Sequence, residues 1–259
     1  MWGMYMPKIF DKETIEALKQ IFSKFPRKVT DHLVIAPANV KCETCKDAVE
    51  LAKALMEVSE GKLEIKIIKK GSDEAEKFKP RYAPAWIFDA PTYNIKYYGL
   101  PLSQEFPPFI YVHQYIATGE LKIPKQFLEE IKNIDVQLHV KIFVTPECPY
   151  CPLIVDALNQ VGLANSNVLV ETIEAMEFPW EADKYGVFYV PAVIISDVER
   201  IDGYVPPDIL VKILKRTVYK LKGQEIPEDL RIELVPQAEV PIEHRYEHIM
   251  PHEHEHETN

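Results

Sequence analysis

Two Cys-x-x-Cys pairs at equivalent places in a repeated pattern constrain the fold of this chain more than any other feature. Each half of the sequence carries the same three markers in the same order: a cysteine pair, a proline and a glycine. They are Cys42 with Cys45, Pro84 and Gly99 in the first half, and Cys148 with Cys151, Pro191 and Gly203 in the second. Corresponding markers are separated by nearly the same number of residues. The 259-residue chain is therefore predicted to contain one structural unit twice.

The pattern of apolar residues predicts the same order of secondary structure in both halves. Each half is predicted to contain a first helix (12–25 and 125–134), a strand leading to the cysteines (32–37 and 136–144), a helix from the cysteines, a second strand (63–68 and 168–173), a strand after the proline (85–88 and 192–195) and a closing helix (103–116 and 208–222). In the first half, residues 95–98 complete a hairpin with the strand after the proline. Alternating strands and helices are typical of an α/β fold. We predict two tandem units, residues 1–120 and 121–224, each a central mixed β-sheet flanked by helices.

Residues 225–259 differ in composition from the rest of the chain. They are rich in Pro and Glu and end in alternating His and Glu, a composition that cannot bury much apolar surface. We expect an extended or disordered tail. A second interpretation stays open for its histidines His252, His254 and His256, because neutral imidazoles bind transition metals.

Charge and hydropathy argue against two classes of partner. The formal net charge of -10 disfavours nucleic acid, whose binding needs a cationic surface. The N-terminus lacks the features of a secretion signal, and no stretch reaches the ~20 apolar residues that span a bilayer. We therefore expect a cytoplasmic protein that binds neither nucleic acid nor membrane. Abundant Lys, Glu and Ile beside few Cys favour a heat-adapted source.

Cysteine pairs at the start of a helix suit thiol–disulfide exchange. Exchange needs one sulfur as thiolate and a second sulfur that attacks the resulting mixed disulfide. The unpaired N–H groups and positive dipole at a helix N-terminus stabilise such a thiolate. We therefore assign catalysis to Cys42, Cys45, Cys148 and Cys151, with Cys42 and Cys148 as the nucleophiles.

The residues inside the two pairs predict that the sites differ. In the second pair, Pro149 and Tyr150 separate the cysteines, and a proline suits the first turn of a helix. In the first pair, Glu43 and Thr44 do so, and the Glu43 carboxylate should disfavour a thiolate at Cys42 by like-charge repulsion. We expect the second site to be the more reactive and the more oxidising.

With these motifs, residues 10–223 resemble the protein disulfide oxidoreductases of hyperthermophilic archaea and bacteria, a glutaredoxin-like family of fused thioredoxin folds. The matching pieces are Cys42-Glu-Thr-Cys45, Cys148-Pro-Tyr-Cys151, Tyr-Ala-Pro84-Ala and Tyr-Val-Pro191-Ala. The resemblance implies two thioredoxin-like units, dithiol–disulfide exchange on substrate proteins, and cis peptides at Pro84 and Pro191 that shape the substrate groove. It implies no bound cofactor beyond the redox-active disulfides, with electrons from a thioredoxin-reductase-like flavoprotein. Isomerase activity and support of a peroxiredoxin are further implied roles.

Two positions depart from related patterns. Thioredoxins place a buried acid six residues before the first cysteine, but Ala36 and Ile142 occupy those positions here, so the proton acceptor for the resolving cysteines is unassigned. Glutaredoxins hold glutathione with a Gly-Gly pair before the last helix. This chain has Ile201-Asp-Gly-Tyr204 there, which disfavours a glutathione site.

Two other functions remain as alternatives at this stage. The first is an electron relay from a flavoprotein reductase to a peroxiredoxin, like the fused thioredoxin-fold module of bacterial hydroperoxide reductase flavoproteins. The second is a zinc-scaffolded binding module, because structural zinc sites also use Cys-x-x-Cys pairs. We predict no metal at the cysteines, and a monomer or a homodimer.

Overall fold

The computed structural model describes residues 9–232, and these contain eight α-helices and eight strands. The helices are α1 Lys12–Ser23, α2 Cys45–Val58, α3 Asp73–Glu76, α4 Phe106–Thr118, α5 Lys125–Lys132, α6 Cys151–Ala164, α7 Pro179–Lys184 and α8 Pro207–Leu221. The strands are β1 Val29–Ile35, β2 Leu63–Lys69, β3 Ala85–Ile87, β4 Ile95–Tyr98, β5 Leu138–Val144, β6 Val168–Glu174, β7 Ala192–Ile195 and β8 Glu199–Asp202. The order of elements in α1–α4 repeats in α5–α8.

All eight strands form one mixed sheet in the order β2-β1-β3-β4-β6-β5-β7-β8. β3 and β7 run antiparallel to both of their neighbours, and the remaining neighbours are parallel. The two halves join where β4 pairs with β6, from Ile95 opposite Val170 to Tyr98 opposite Ile173. The predicted α/β class and the helix-flanked mixed sheet are confirmed. Where two separate sheets were predicted, however, the strands of both halves form one continuous sheet.

The two faces of the sheet are covered differently. On one face each half has its own core under long helices, with Phe22, Leu55 and Trp86 in the first and Leu158 and Leu214 in the second. The opposite face carries a single apolar cluster that spans both halves beneath the short helices α3 and α7. Several strands are therefore buried on both sides, which explains their nearly continuous apolar sequences.

α3, α7 and β8 have no counterpart among the elements predicted from the sequence, for physical reasons. α3 has four residues, too few for a periodic pattern, and it is fixed by the Ser72 side chain, which accepts a hydrogen bond from Ala75 N. α7 has six residues. β8 is the outermost strand, and its sequence Glu-Arg-Ile-Asp buries only Ile201.

The first part of the predicted tail differs from the expectation. Within residues 225–232, a short 3-10 helix at Glu228–Leu230 contacts α8 and buries Leu230. Arg216 on α8 donates a 2.6 Å hydrogen bond to Ile232 O. The rest of the predicted tail, including His252, His254 and His256, lies outside the described residues.

The helices are short, with at most 15 residues each. α8, with 15 residues, buries Leu210, Ile213 and Leu214 and turns its lysines outward. Within residues 9–232, no helix combines the length and the apolar character needed to cross a membrane.

Candidate redox sites

The two cysteine pairs lie at the same end of the sheet. β1 and β5 point in the same direction, and each is followed by a loop to a Cys-x-x-Cys pair. Because β3, β4 and β6 separate these strands, four interstrand steps of ~4.8 Å place the ends of β1 and β5 roughly 19 Å apart. Zinc–sulfur bonds are about 2.3 Å, far shorter than the separation of these two strand ends.

Both pairs are disulfides with the same backbone spacing. The Cα atoms of Cys42 and Cys45 are 5.5 Å apart, as are those of Cys148 and Cys151. Among residues 9–232, no group of three or more His, Cys, Asp or Glu side chains is arranged to hold a metal ion. Each pair forms a disulfide ring that thiol–disulfide exchange can open and close.

Helix α6 directs its first N–H group at the second site. Cys151 N donates a 3.1 Å hydrogen bond to Cys148 Sγ. Cys151 is fully buried and Cys148 is 8% exposed, so an incoming group reaches Cys148 first. An N–H group at a helix N-terminus stabilises a thiolate in this position. This geometry suits Cys148 as nucleophile and Cys151 as resolving cysteine.

The second-site proline lies differently from the prediction. α6 begins at Cys151, so Pro149 precedes the helix, and Pro152 occupies its first turn. Tyr150 is the residue just before the helix, and its side chain packs partly against the second core. Cys148 N donates a 3.2 Å hydrogen bond to Thr145 O, which closes a turn at Cys148. The helix begins three residues later, at Cys151.

In both halves the chain brings the cysteine pair, proline and glycine together. The Ala83–Pro84 and Val190–Pro191 peptide bonds are cis. Cys42 Sγ lies 3.5 Å from Ala83 O, and Val190 lines the cavity beside the second site. Each proline carbonyl then accepts a hydrogen bond from the marker glycine: Gly99 N to Pro84 O at 3.1 Å and Gly203 N to Pro191 O at 2.7 Å.

The surroundings of Glu43 change the expectation for the first site. Glu43 is mostly exposed and forms an ion pair with Lys41, which lowers the pKa of the Glu43 carboxyl. The lysine offsets the negative charge, so repulsion between Glu43 and a Cys42 thiolate is weaker than the sequence argument assumed. Thr44 instead faces the other half of the molecule and donates a hydrogen bond to Glu177.

A cavity of about 570 Å³ opens beside Cys148. Its rim is apolar and unusually exposed: Phe188 is 85% exposed and Tyr189 is 83% exposed, and Met176 lies nearby. The polar part of the lining includes Glu147, which is acidic. The second site thus opens onto a surface that suits an apolar polypeptide segment.

A buried acid, missed by the sequence analysis, lies where the two halves meet. Both carboxyl oxygens of Glu105 are buried without a hydrogen-bond partner in the described structure. Burial, with a smaller contribution from Glu174, raises the pKa of Glu105 to about 8. The 3-10 turn that carries Glu105 contacts α6, and its Gln104 N donates a 3.0 Å hydrogen bond to Pro146 O.

Glu105 could not be found by counting back from a cysteine, because it belongs to the first half and approaches the second site across the junction. The positions where thioredoxins carry the acid are Ala36, half-buried, and Ile142, fully buried. One sequence signal was present: an acidic residue directly before the mostly apolar helix α4.

Comparisons with known proteins agree with this geometry. Residues 138–215 match the thioredoxin domain family. A protein disulfide oxidoreductase from Aeropyrum pernix K1 has a similar structure, with a TM-score of 0.74 and 23% identity over 83% of this chain and 94% of that chain. The NTD_N/C domain of the alkylhydroperoxide reductase AhpF from Enterococcus faecalis gives a TM-score of 0.70 and 21% identity over 79% of this chain and 99% of that one.

Among curated proteins, the AhpF component of alkyl hydroperoxide reductase from Staphylococcus aureus is 26% identical over 190 residues. That match covers 64% of this chain and spans 37% of the length of the relative. The chain therefore has a thioredoxin-like fold, with residues 138–215 matching the thioredoxin domain family, and its structure is similar to those of the Aeropyrum pernix protein disulfide oxidoreductase and of the NTD_N/C domain of AhpF.

Proposed function

We propose that this chain is a thiol–disulfide oxidoreductase that exchanges disulfides with proteins through two sites, Cys42–Cys45 and Cys148–Cys151. The observation that carries the proposal is the 3.1 Å contact from Cys151 N to Cys148 Sγ, which directs a helix N-terminus at the more exposed cysteine of a Cys-x-x-Cys disulfide. The same arrangement of cysteines and cis proline in the first half supports a second working site. The proposed units are residues 1–120 and 121–224.

The reaction at the second site proceeds in two exchanges. The Cys148 thiolate attacks a substrate disulfide, a mixed disulfide forms, and the first substrate sulfur leaves and takes up a proton. Cys151 then loses its proton and attacks Cys148 Sγ, which releases the second substrate sulfur. Two electrons pass to the substrate, and the Cys148–Cys151 disulfide is left behind. The reverse sequence oxidises a substrate dithiol.

Glu105 is the proposed proton acceptor for the second exchange. A carboxyl group with a pKa of about 8 gains and loses a proton near neutral pH. Its buried oxygens have no competing partner among the described residues, and its turn contacts α6, the helix that begins with Cys151. The proposal includes the transfer of the Cys151 proton to Glu105.

In this proposal Pro84 and Pro191 shape the substrate grooves. The residue before each proline, Ala83 or Val190, lies beside a cysteine pair. Pro149 and Tyr150 tune the second site, and Glu43 and Thr44 tune the first. Reducing equivalents come from a thioredoxin-reductase-like flavoprotein, and the protein works in the cytoplasm as a monomer or a homodimer.

The experiment compares Cys148→Ser with Cys42→Ser in reduction of a protein disulfide and in recovery of a scrambled protein. Because the second site has the better-placed helix N–H and the more apolar surface, Cys148→Ser should abolish most of the turnover, and Cys42→Ser should retain part of it. Equal loss in both variants would contradict the ranking of the sites. Undiminished turnover in the variant that lacks both residues would contradict the function.

An electron relay to a peroxiredoxin is a second candidate, favoured by the match to the AhpF component of alkyl hydroperoxide reductase. The two candidates differ in their preferred acceptor. Turnover should be measured with a flavoprotein reductase as donor, and with either a peroxiredoxin or a scrambled protein as acceptor. A much larger kcat/KM for the peroxiredoxin would favour the relay.

A further inference from the structure

A glutamate from the second half of the chain contacts the first redox site. Glu177 lies in the loop between β6 and α7, and its Oε2 accepts a hydrogen bond from the Thr44 hydroxyl inside the Cys42–Cys45 pair. Its Oε1 accepts a 2.6 Å hydrogen bond from Leu100 N in the first half. The carboxylate is therefore held from two sides, beside the start of α2.

The chain leaves room for this carboxylate at Gly99. A Cβ atom at that position would lie 2.8 Å from Glu177 Oε1 and 2.8 Å from Glu174 Cβ, which is closer than real Cβ contacts. Gly99 also has φ +103°, a conformation that side chains disfavour. The marker glycine of the first half thus allows the second half to approach the first site.

Glu177 differs from the other charged groups around the first site. Glu43 is paired with Lys41 on the surface, and Lys46 and Asp47 are exposed residues of opposite charge in the first turn of α2. Only Glu177, among these five groups, is half-buried and hydrogen-bonded to a residue between the cysteines. A fixed negative charge there disfavours a thiolate and so disfavours the reduced form of the pair.

The loop that carries Glu177 also reaches the second site. Ala175 and Met176, the two preceding residues, line the cavity beside Cys148. Glu177 N and Met176 N both donate to the Glu174 carboxylate, which fixes the turn between the two contacts. One short loop therefore borders both redox sites.

We propose that Glu177 is a positioning residue supplied by the second half, whose carboxylate destabilises the Cys42 thiolate and makes the first site the more reducing of the two. The proposal rests on the exchange chemistry assigned above. Reduction of the first disulfide takes up two electrons and leaves Cys45 as thiol and Cys42 as thiol or thiolate. The negative charge of Glu177 acts against that thiolate.

The test uses the full chain with Cys148→Ser and Cys151→Ser, so that only the first site reacts. Glu177→Gln removes the charge, and its amide oxygen still accepts from Leu100 N. We expect a lower pKa for Cys42 and an alkylation rate with iodoacetamide at mildly acidic pH that is about threefold higher. Glu43→Gln is the matched control, because it removes an equal charge one residue from Thr44, and it should change the rate less.

Thr44→Val separates the charge from the hydrogen bond, because it removes the bond and keeps the carboxylate. Its effect should be smaller than that of Glu177→Gln. An unchanged Cys42 pKa in Glu177→Gln, or equal effects of Glu177→Gln and Thr44→Val, would overturn the proposal. So would an equal shift at Cys148 when Glu177→Gln is combined with Cys42→Ser and Cys45→Ser. Alkylation needs no exchange partner, so failure of protein disulfide exchange is a separate result.

Discussion

Tyr98 on β4 donates a 2.8 Å hydrogen bond to Glu171 on β6, across the line where the two halves of the sheet meet. The Glu171 side chain is 1% exposed and also hydrogen-bonds His139 Nε2 at 2.6 Å, with Arg81 and Lys96 nearby. Burial alone would raise the pKa of Glu171, but the bond to His139 and the surrounding cations outweigh burial and lower the pKa to about 2. The junction is therefore held by an ionised, buried carboxylate.

Glu171→Gln should destabilise the protein at neutral pH. The folded pKa lies below the unfolded value, so the stabilisation is fully present above about pH 4.5 and is lost as the pH falls through about 2. At pH 7 the free energy of unfolding should fall by an amount on the order of 3 kcal/mol. Urea unfolding at pH 7, 4 and 2.5 measures this loss and its pH dependence. Glu64→Gln, which removes an exposed partner of Lys28, should cost much less, because exposed ion pairs contribute little to stability. Equal losses in the two variants would contradict the assignment.

Glu105→Gln should remove a pH dependence of stability whose sign is opposite to that caused by Glu171. Because the folded pKa of about 8 exceeds the unfolded value, Glu105 ionises in the unfolded chain while it stays protonated in the folded protein, and the fold loses stability as the pH rises from about 4.5 to 8. The stability of the variant relative to the native protein should therefore rise between pH 5 and pH 9, by an amount on the order of 4 kcal/mol. Denaturant unfolding at both pH values measures this difference. A pH-independent difference would contradict the raised pKa of Glu105.

Gly99→Ala should destabilise the protein more than Gly61→Ala. Both glycines have positive φ, but a Cβ at Gly61 meets nothing within 4 Å, whereas a Cβ at Gly99 collides with Glu174 and Glu177. Gly61→Ala should cost about 1 to 2 kcal/mol from backbone strain alone. Gly99→Ala should add about 1 to 3 kcal/mol from overpacking. Denaturant midpoints compare the two, and equal costs would show that Gly99 matters only for its backbone angle.

Replacing Phe188 and Tyr189 with Ser should weaken the binding of protein substrates and leave the reaction with small disulfides unchanged. Both side chains are more than four-fifths exposed, so the fold should lose less than about 0.5 kcal/mol. KM for an unfolded protein disulfide should rise about tenfold, whereas the rate with a small aromatic disulfide should stay the same. Ile67→Ser, an exposed position on β2, is the control and should leave both unchanged. A parallel loss with both substrates would place these residues in the exchange step itself.

Much of the fold could be predicted from local patterns, because the markers and apolar periodicity of each half are short-range features of the sequence. The limits of β4 and β7 were correct, and those of β2, β6, α1 and α8 were correct to within two residues. The joining of β4 to β6 could not be predicted, since no local pattern states which strand pairs with which. Short, polar elements such as α3 and β8 carry too few buried residues for a periodic signal.

The sites were predictable in their sulfur chemistry but not in their electrostatics. The cysteines, prolines and glycines lie within a few residues of recognisable elements, and they come together as the repeat indicated. Glu105 and Glu177 lie at the junction between the halves, 43 residues before Cys148 and 132 residues after Cys45 respectively. Lys41 also escaped notice, although it is adjacent to Cys42, because only the side-chain geometry reveals its pairing with Glu43.

The pairing of β4 with β6 also bears on how this chain avoids aggregation. In an isolated half, β4 or β6 would be an edge strand, with a row of unpaired N–H and C=O groups that can template the pairing of another chain. Joining the halves pairs one such row from each, and among residues 9–232 it leaves β2 and β8 as the two edge strands. These edge strands carry exposed charged side chains, Lys66 and Lys69 on β2 and Asp202 on β8, which discourage intermolecular pairing. The duplication therefore protects the sheet as well as doubling the number of disulfides.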